Sequence, residues 1–420
     1  MRAPQFHPLR WLIFFLSVAF YYYEYVLRVS PSVMVPQLEQ SFGIAAGTVG
    51  TISAFYFFAY APLQFPIGIL MDRFGARKLL VFASTVCGLG GLAFGFAPQV
   101  WLAEGGRFLM GTGSAFAFIG MIYICHHWFP LHTVGLLIGI GNSIGMIGAV
   151  TGEGPISLGV AAWGWRAVAI GLGILGLLLA LIMYIAMRRE DRAHLVHAPE
   201  EHRWRQLLAQ VKIVCLNPQT WINALGNMTF YATTVAFAGL WGVPFIQVAY
   251  QVDNSLAAFA ASMIYVGFIV GGPLIGWISD RMGQEKVPLM ATSLLTLFAF
   301  VPVLYLTFLP IEVVYGLLFL TGAFSAGTLL NFRFATSVNP QEAKGTAIAF
   351  TNTVAFIGGA LFQTGIGYTL QAFWTGTQVD GITLYPLVGY QTVLTLFPAT
   401  LIAAFILLKE PEHGRKRARS

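Results

Sequence analysis

Charge is the first thing this sequence lacks. Only 10% of its 420 residues are Asp, Glu, Lys or Arg, where a soluble domain carries roughly 25%. A chain this poor in charge cannot cover an apolar core with a water-facing surface, so a water-soluble fold is excluded. Cysteine is scarce as well. Cys87, Cys125 and Cys215 have neither disulfide nor thiolate-metal spacing and read as inert thiols. Among the histidines, His126, His127 and His132 fall together without zinc-ligand spacing and read as solvated. No G-x-x-x-x-G-K-[ST] loop occurs, so a P-loop nucleotide site is excluded, and no cofactor or metal is expected.

What the chain has in abundance is apolar sequence: 57% of residues are hydrophobic and the mean hydropathy is +0.73. Crossing a bilayer takes about 20 apolar residues in a helix. Twelve such stretches are present: 11–35, 47–70, 79–97, 101–126, 135–158, 166–187, 219–243, 256–279, 287–307, 311–332, 345–370 and 388–408. The first holds Glu24 and three tyrosines and has no A-x-A site after it, so it reads as a retained span and not as a cleaved signal. With the N-terminus placed inside, 20 of the 23 Lys and Arg fall in inside segments. The exceptions are Arg28, Arg107 and Arg166. This asymmetry predicts cytoplasmic termini. The basic balance thus reports topology, and no nucleic-acid partner is expected.

The stretch Met187–Gln206 is rich in charge and separates six spans from six. After it, Trp204, Leu207, Leu208, Val211 and Cys215 fall on one helical face, which predicts a helix lying in the membrane interface. The domains are therefore expected at 1–187, a linker at 188–217, a second bundle at 218–410 and a basic tail at 411–420. An internal repeat supports this division. GILMDRFGARK (Gly68–Lys78) returns as GWISDRMGQEK (Gly276–Lys286). Further on, Pro130, Gly135, Asn142, Ile147 and Gly148 match Pro340, Gly345, Asn352, Ile357 and Gly358. The two offsets differ by only two residues, so the chain is read as a duplicated six-helix unit.

The doubled loop motif resembles the signature of the major facilitator superfamily, as do GRFLMGTGSAFAF (Gly106–Phe118) in span 4 and GWRA (Gly164–Ala167) before span 6. YEYVLRVSPSVM (Tyr23–Met34) resembles the proteobacterial intraphagosomal amino-acid and nutrient transporters within it. The second loop copy departs from the pattern by carrying Glu285 where the first has Arg77. The resemblance implies an all-α polytopic membrane protein in a bacterial inner membrane, with twelve transmembrane helices in two pseudo-symmetric six-helix bundles. It also implies alternating access to a central site, with spans 1, 4, 7 and 10 lining the cavity. The loop residues Gly68, Asp72, Arg73, Gly75, Arg77, Lys78, Asp280 and Arg281 would then be gating residues. Asp72 would latch onto the start of span 11 near Gly345, and Asp280 onto the start of span 5 near Gly135.

Two ionisable groups stand in the middle of span 1. Glu24 and Arg28 are spaced i, i+4 and share a helix face, although each costs about 2.5–3.5 kcal/mol at mid-membrane. They read either as a self-neutralising pair or as a site in which Arg28 takes an anionic group and Glu24 a proton. Asn142 and Glu153 lie 11 residues apart on span 5, nearly three turns, and so on one face. Their repeat counterparts Asn352 and Gln363 do the same on span 11. Such polar faces should look into the cavity between the two bundles, because facing lipid would leave them unsatisfied. Glu153 reads equally as a second proton carrier or as an outer gate. Asn223, Asn227 and Tyr231 form an i, i+4, i+8 stripe on span 7, read as a cavity wall. Arg107 reads as a second anion contact or as the partner of Glu104. The glycines at 141, 145, 148 and 152 read as helix packing.

These readings converge on a secondary transporter for a small polar solute, an amino acid or a carboxylate-bearing nutrient, imported with protons. The expected partners are the bilayer, the solute and protons, around a monomer. A proton-driven exporter of an organic anion, siderophore or drug is the alternative within transport. A membrane-embedded enzyme or a transporter-like sensor is the alternative of another class; no catalytic constellation recurs in the spans, which argues against the enzyme.

Overall fold

A computed structural model describes residues 8–187, 200–379 and 382–409. The expected basic tail at 411–420 and the first part of the linker, 188–199, lie outside the described residues. Among those described, ten helices are long and apolar enough to cross a membrane. An eleventh crossing is Ala46–Leu63, bent through 112° from the short helix Val35–Phe42 that precedes it. One of the ten, Leu131–Ala186, has 56 residues, about 84 Å of helix against a hydrocarbon core about 30 Å thick. It is two crossings. They divide at Gly164, whose φ of 77° is open only to a residue without a Cβ. Twelve spans result: Leu9–Val33, Ala46–Leu63 continued by Ile67–Phe74, Ala76–Gly95, Val100–Trp128, the two parts of Leu131–Ala186, Pro218–Tyr250, Asn254–Met282, Lys286–Tyr305, Ile311–Ser337, Gln341–Gln371 and Leu387–Ile406. They are numbered 1 to 12 below.

Spans 3, 4 and 6 pack together, as do 1 with 5, 8 with 10, 7 with 11 and 9 with 12. Between the halves, span 2 lies along span 11 and span 5 along span 8. Glycines permit the close approaches. A Cβ at Gly145 or Gly148 would strike the Tyr21 ring or the Tyr22 carbonyl of span 1 at 2.5 and 2.3 Å. Outward, large apolar side chains such as Phe82, Leu178, Phe298 and Ile406 stand exposed, a surface that suits lipid and not water.

Three features depart from twelve plain helices. Span 2 breaks between Leu63 and Ile67, where Pro62 and Pro66 remove helix hydrogen bonds. Span 7 widens into a π-helix over Thr233–Trp241. Between spans 11 and 12 a small antiparallel hairpin pairs Gln378–Val379 with Ile382–Thr383. The loop glycines Gly75 and Gly283 both take positive φ, 78° and 63°, so each repeat copy spends that glycine on the turn between two spans. The linker helix, Glu200–Leu216, buries Val214 against Ala224, Ala335, Ala347 and Phe350. It thus packs beneath the second half with a residue outside the expected apolar stripe, while Leu208 of that stripe is exposed.

Candidate functional site

A cavity of about 740 Å³ lies between the halves. It reaches from Gly68, Gly135 and Gly345, at the end of the molecule carrying the loop motifs, up to Tyr25, Arg28, Tyr231 and Phe356. That end is called the basic end here and the opposite one the far end. A small chamber shares Tyr25, Arg28 and Tyr231 with the cavity and continues to Thr234, Gly239 and Tyr265.

Arg28 sits at the head of this space and is 5% exposed. Its Nη2 donates to Glu24 Oε1 in an ion pair, and its Nε donates to the Tyr56 hydroxyl at 3.5 Å. Four rings box the guanidinium: Tyr25 at 4.4 Å, Tyr60 at 4.9 Å, Phe356 at 5.0 Å and Tyr56 at 5.8 Å from its central carbon. Such contacts stabilise a cation most where water is excluded. Glu24 is fully buried and its Oε2 has no hydrogen-bond partner. The two groups neutralise each other, and they do so at the head of a cavity.

Arg107 does neither thing expected of it. Its two terminal nitrogens donate to the carbonyls of Leu27 (2.7 Å) and Arg28 (3.3 Å). Span 1 tightens there into a 3-10 turn, Ser30–Val33 around Pro31. Carbonyls at such a helix end lack partners within the helix, and Arg107 supplies them. It thus holds the backbone of Arg28 and not Glu104 or the cavity.

Of the symmetric faces of spans 5 and 11, Asn142 and Asn352 line the cavity; the cavity-facing expectation is corrected for Glu153 and Gln363. Asn142 lines the cavity and accepts from the Tyr21 hydroxyl at 3.3 Å, and Asn352 lines it and donates to Gln64 of span 2 at 3.2 Å. Glu153 and Gln363 lie beyond it, in the sealed far half. Glu153, fully buried, accepts from Tyr265 of span 8 at 3.2 Å. The Gln363 side chain donates to the Val235 carbonyl at 2.7 Å, within the π-helix.

Of the span 7 stripe, only Tyr231 reaches the cavity. Asn223 donates to the Asn331 carbonyl at 2.9 Å and Asn227 to the Thr351 carbonyl at 3.4 Å, while Thr328 donates to the Asn227 side chain. Both asparagines are buried between spans 7, 10 and 11. The cavity-wall expectation for them is corrected: their amides serve interhelical bonding within one half.

Of the loop residues, Gly68 and Gly345 both line the cavity at its mouth. Arg77 donates to the Tyr184 carbonyl of span 6 at 3.2 Å. Asp280 pairs with Arg333 at the end of span 10, and Glu285 reaches the same arginine at 3.5 Å. Glu285 therefore brings its loop to Arg333, as Arg77 brings the first loop to span 6. Arg73 and Arg281 are exposed, each over an aromatic neighbour, Phe74 and Trp277; Lys78 is exposed and Asp72 half-buried.

Sequence reasoning missed the ring box and Tyr265. Tyr56 and Tyr60 at i, i+4 were a usable signal for part of the box. Nothing local marks Phe356 or Tyr265, which arrive from the other half.

The sequence model of the Major Facilitator Superfamily matches residues 11–363 and again 243–420. The chain is 25% identical over 297 residues to a probable sulfoacetate transporter, SauU, of Cupriavidus necator, the match spanning 65% of this chain and 65% of that protein, just under two thirds of its length. It is 23% identical over 415 residues to the membrane sensor protein UhpC of Escherichia coli, spanning 91% of this chain and 92% of the sensor. In fold it resembles a bacterial homolog of the human lysosomal transporter Spinster, solved inward-facing and unoccupied, with a TM-score of 0.77, 16% identity and 96% of each chain covered.

Proposed function

This chain belongs to the Major Facilitator Superfamily, and we propose that it is a secondary active transporter importing a small carboxylate-bearing nutrient, amino acids included, together with protons. The observation that carries this reading is the buried Arg28–Glu24 pair at the head of the cavity. Arg28 offers a planar fork suited to a carboxylate, but Glu24 occupies one edge of it. Two carboxylates on one buried guanidinium would leave a net negative charge in a medium that penalises it. A proton on Glu24 removes that charge and opens the fork. Anion and proton then bind together and leave together, which is symport with no net charge on the pair. The likeness to a probable sulfoacetate transporter supports an anionic solute.

The positive-inside rule supports a cytoplasmic basic end and cytoplasmic termini, and on that orientation the cavity opens inward. The bacterial inner membrane is the proposed site. The protein works as a monomer, with lipid, solute and protons as its partners and no nucleic acid. The likeness to a sensor across nearly its full length supports a second reading, in which solute binds without net transport.

Proteoliposomes with an imposed pH gradient separate the two. Saturable, gradient-stimulated accumulation of a member of a carboxylate panel is the expected result, lost in Glu24→Gln while solute exchange persists. Ligand-induced thermal stabilisation with no flux would favour the sensor. Neither binding nor flux for any carboxylate would overturn both.

A further inference from the structure

A third buried carboxyl, after Glu24 and Glu153, lies outside the spans and takes no part in the scheme above. Glu39 belongs to the short helix Val35–Phe42, which joins spans 1 and 2 at the far end. Eight residues make about 12 Å of helix, too short to cross a membrane. The side chain is only 3% exposed, and its Oε1 has no hydrogen-bond partner.

What covers it comes from the other half of the molecule. The hairpin between spans 11 and 12 sets the backbone N–H of Thr383 against the Glu39 carboxyl. Two residues on, the Tyr385 hydroxyl accepts from the Ala46 N–H at the start of span 2, at 2.9 Å. Thr383 and Tyr385 are themselves buried. Glu39 thus stands where the two halves meet at the far end, beneath a flap, residues 383–385, that the second half supplies.

The titratable groups facing it are the phenols of Tyr385 and Tyr390, both from the second half. From the span 5–6 side, Arg166 lies over the Phe42 ring at 5.4 Å and gives its Nη1 to the Gly95 and Ala97 carbonyls. No ion pair to Glu39 occurs among the described residues. A bare carboxylate here would keep one oxygen buried without a donor, whereas a protonated one carries no charge to desolvate.

We infer that Glu39 is a proton-binding site separate from the central pair, and that a proton on it seats the hairpin and favours closure of the far end. Burial pushes its carboxyl up to about 8, against the opposing pull of the Thr383 N–H. With the flap lifted, a solvated glutamate returns to about 4.3. The closed state therefore binds the proton more tightly. Its advantage is fully present below about pH 4, falls by up to about tenfold per unit as the pH rises, and is spent above about pH 8. On the assigned orientation the far end faces outside, so an acid exterior drives the protein toward its inward-open form.

The test uses the full chain in lipid nanodiscs, with Cys215→Ser and spin labels at Gln40→Cys and Thr375→Cys, on either side of the flap. In the otherwise native protein, the long-distance (open) population should rise at least tenfold relative to the short one between pH 5 and pH 9. Glu39→Gln should hold the short distance at both pH values, with less than a twofold change. The response should persist in a Glu24→Gln background, which tells this site from the central pair. A flat profile in the native protein, or an unchanged pH response in Glu39→Gln, would overturn the inference. If Glu39→Gln fails to fold, Glu39→Asp keeps the acid and must keep the pH response; its loss there would overturn the inference equally.

Discussion

At the far end of the seam between spans 2 and 11, a Cβ on Gly50 would lie 2.5 Å from the Gln363 carbonyl oxygen, and one on Gly367 would lie 2.5 Å from that of Ala46. At the basic end, a Cβ on Gly68 or Gly345 would meet nothing within 4 Å. The two helices stay together as far as Thr353, which donates to the Ala61 carbonyl at 3.2 Å, and Asn352, which bonds Gln64. Past that point span 2 breaks and its last turns carry the loop motif away. Two ends of one helix pair are therefore built differently. The far end shuts by backbone contact, which is steep in side-chain volume. The basic end carries the charged loop, whose attractions are weaker and longer in range.

The largest effect should come from spoiling the backbone contact. Gly50→Val places methyl groups where a carbonyl stands, and overpacking of this kind costs about 1–3 kcal/mol. That predicts a roughly 5- to 150-fold shift away from far-end closure. A cysteine at Thr234 in the small chamber, protected from an impermeant reagent on the far side in the native protein, should become reactive. Unaltered protection would mean that the two halves are not held apart by volume at Gly50.

Next in size is Arg28→Lys, which keeps the charge at the head of the cavity and removes the fork. A hydrogen bond to a charged group contributes about 1.5–3 kcal/mol, so affinity for the transported carboxylate should drop about 10- to 150-fold in equilibrium binding. Equal affinity would reduce Arg28 to a structural partner of Glu24. Asn223→Ala sharpens the contrast from within one half. Losing the bond to Asn331 leaves a buried acceptor short of a donor, at a cost of about 1–3 kcal/mol. Thermal stability should fall while reagent access at both ends stays as it was; a change in access would place Asn223 in the gating surface after all.

The smallest effect belongs to the charged end. An aspartate at a helix N-terminus contributes about 0.3–1 kcal/mol. Asp72→Asn should therefore raise the inward-open population about two- to fivefold, seen as faster labelling of a cysteine at Ala349. Unchanged labelling with lower protein levels would point to a role for the loop in membrane insertion instead.

Much of this was legible before any coordinates. The spans, the two halves and the Glu24–Arg28 pairing follow from apolar length, from charge placement and from i, i+4 spacing. The same rules could not separate Asn223 from Tyr231, which share one stripe on span 7, because a helical face says where residues point and not what stands opposite. Arg107 was misjudged for a related reason: its partners are the orphan carbonyls of a helix end that only the 3-10 turn after Leu27 creates. Glu39 drew no notice, being one charge in a polar-looking linker until a hairpin more than 300 residues away covers it.

The sequence by itself determined that this chain lives in lipid, that it crosses twelve times, that it is built from two copies of one design and that two ionisable groups pair within span 1. Those outcomes rest on transfer free energies and helical periodicity, which add residue by residue along the chain. The tertiary structure alone decided which polar groups face the cavity, which bind within one half, and which end is shut. Each of those depends on a carbonyl or a ring delivered by a distant segment, at distances such as 2.7 Å to the Leu27 carbonyl and 5.0 Å to the Phe356 ring, and no local pattern encodes which segment that is.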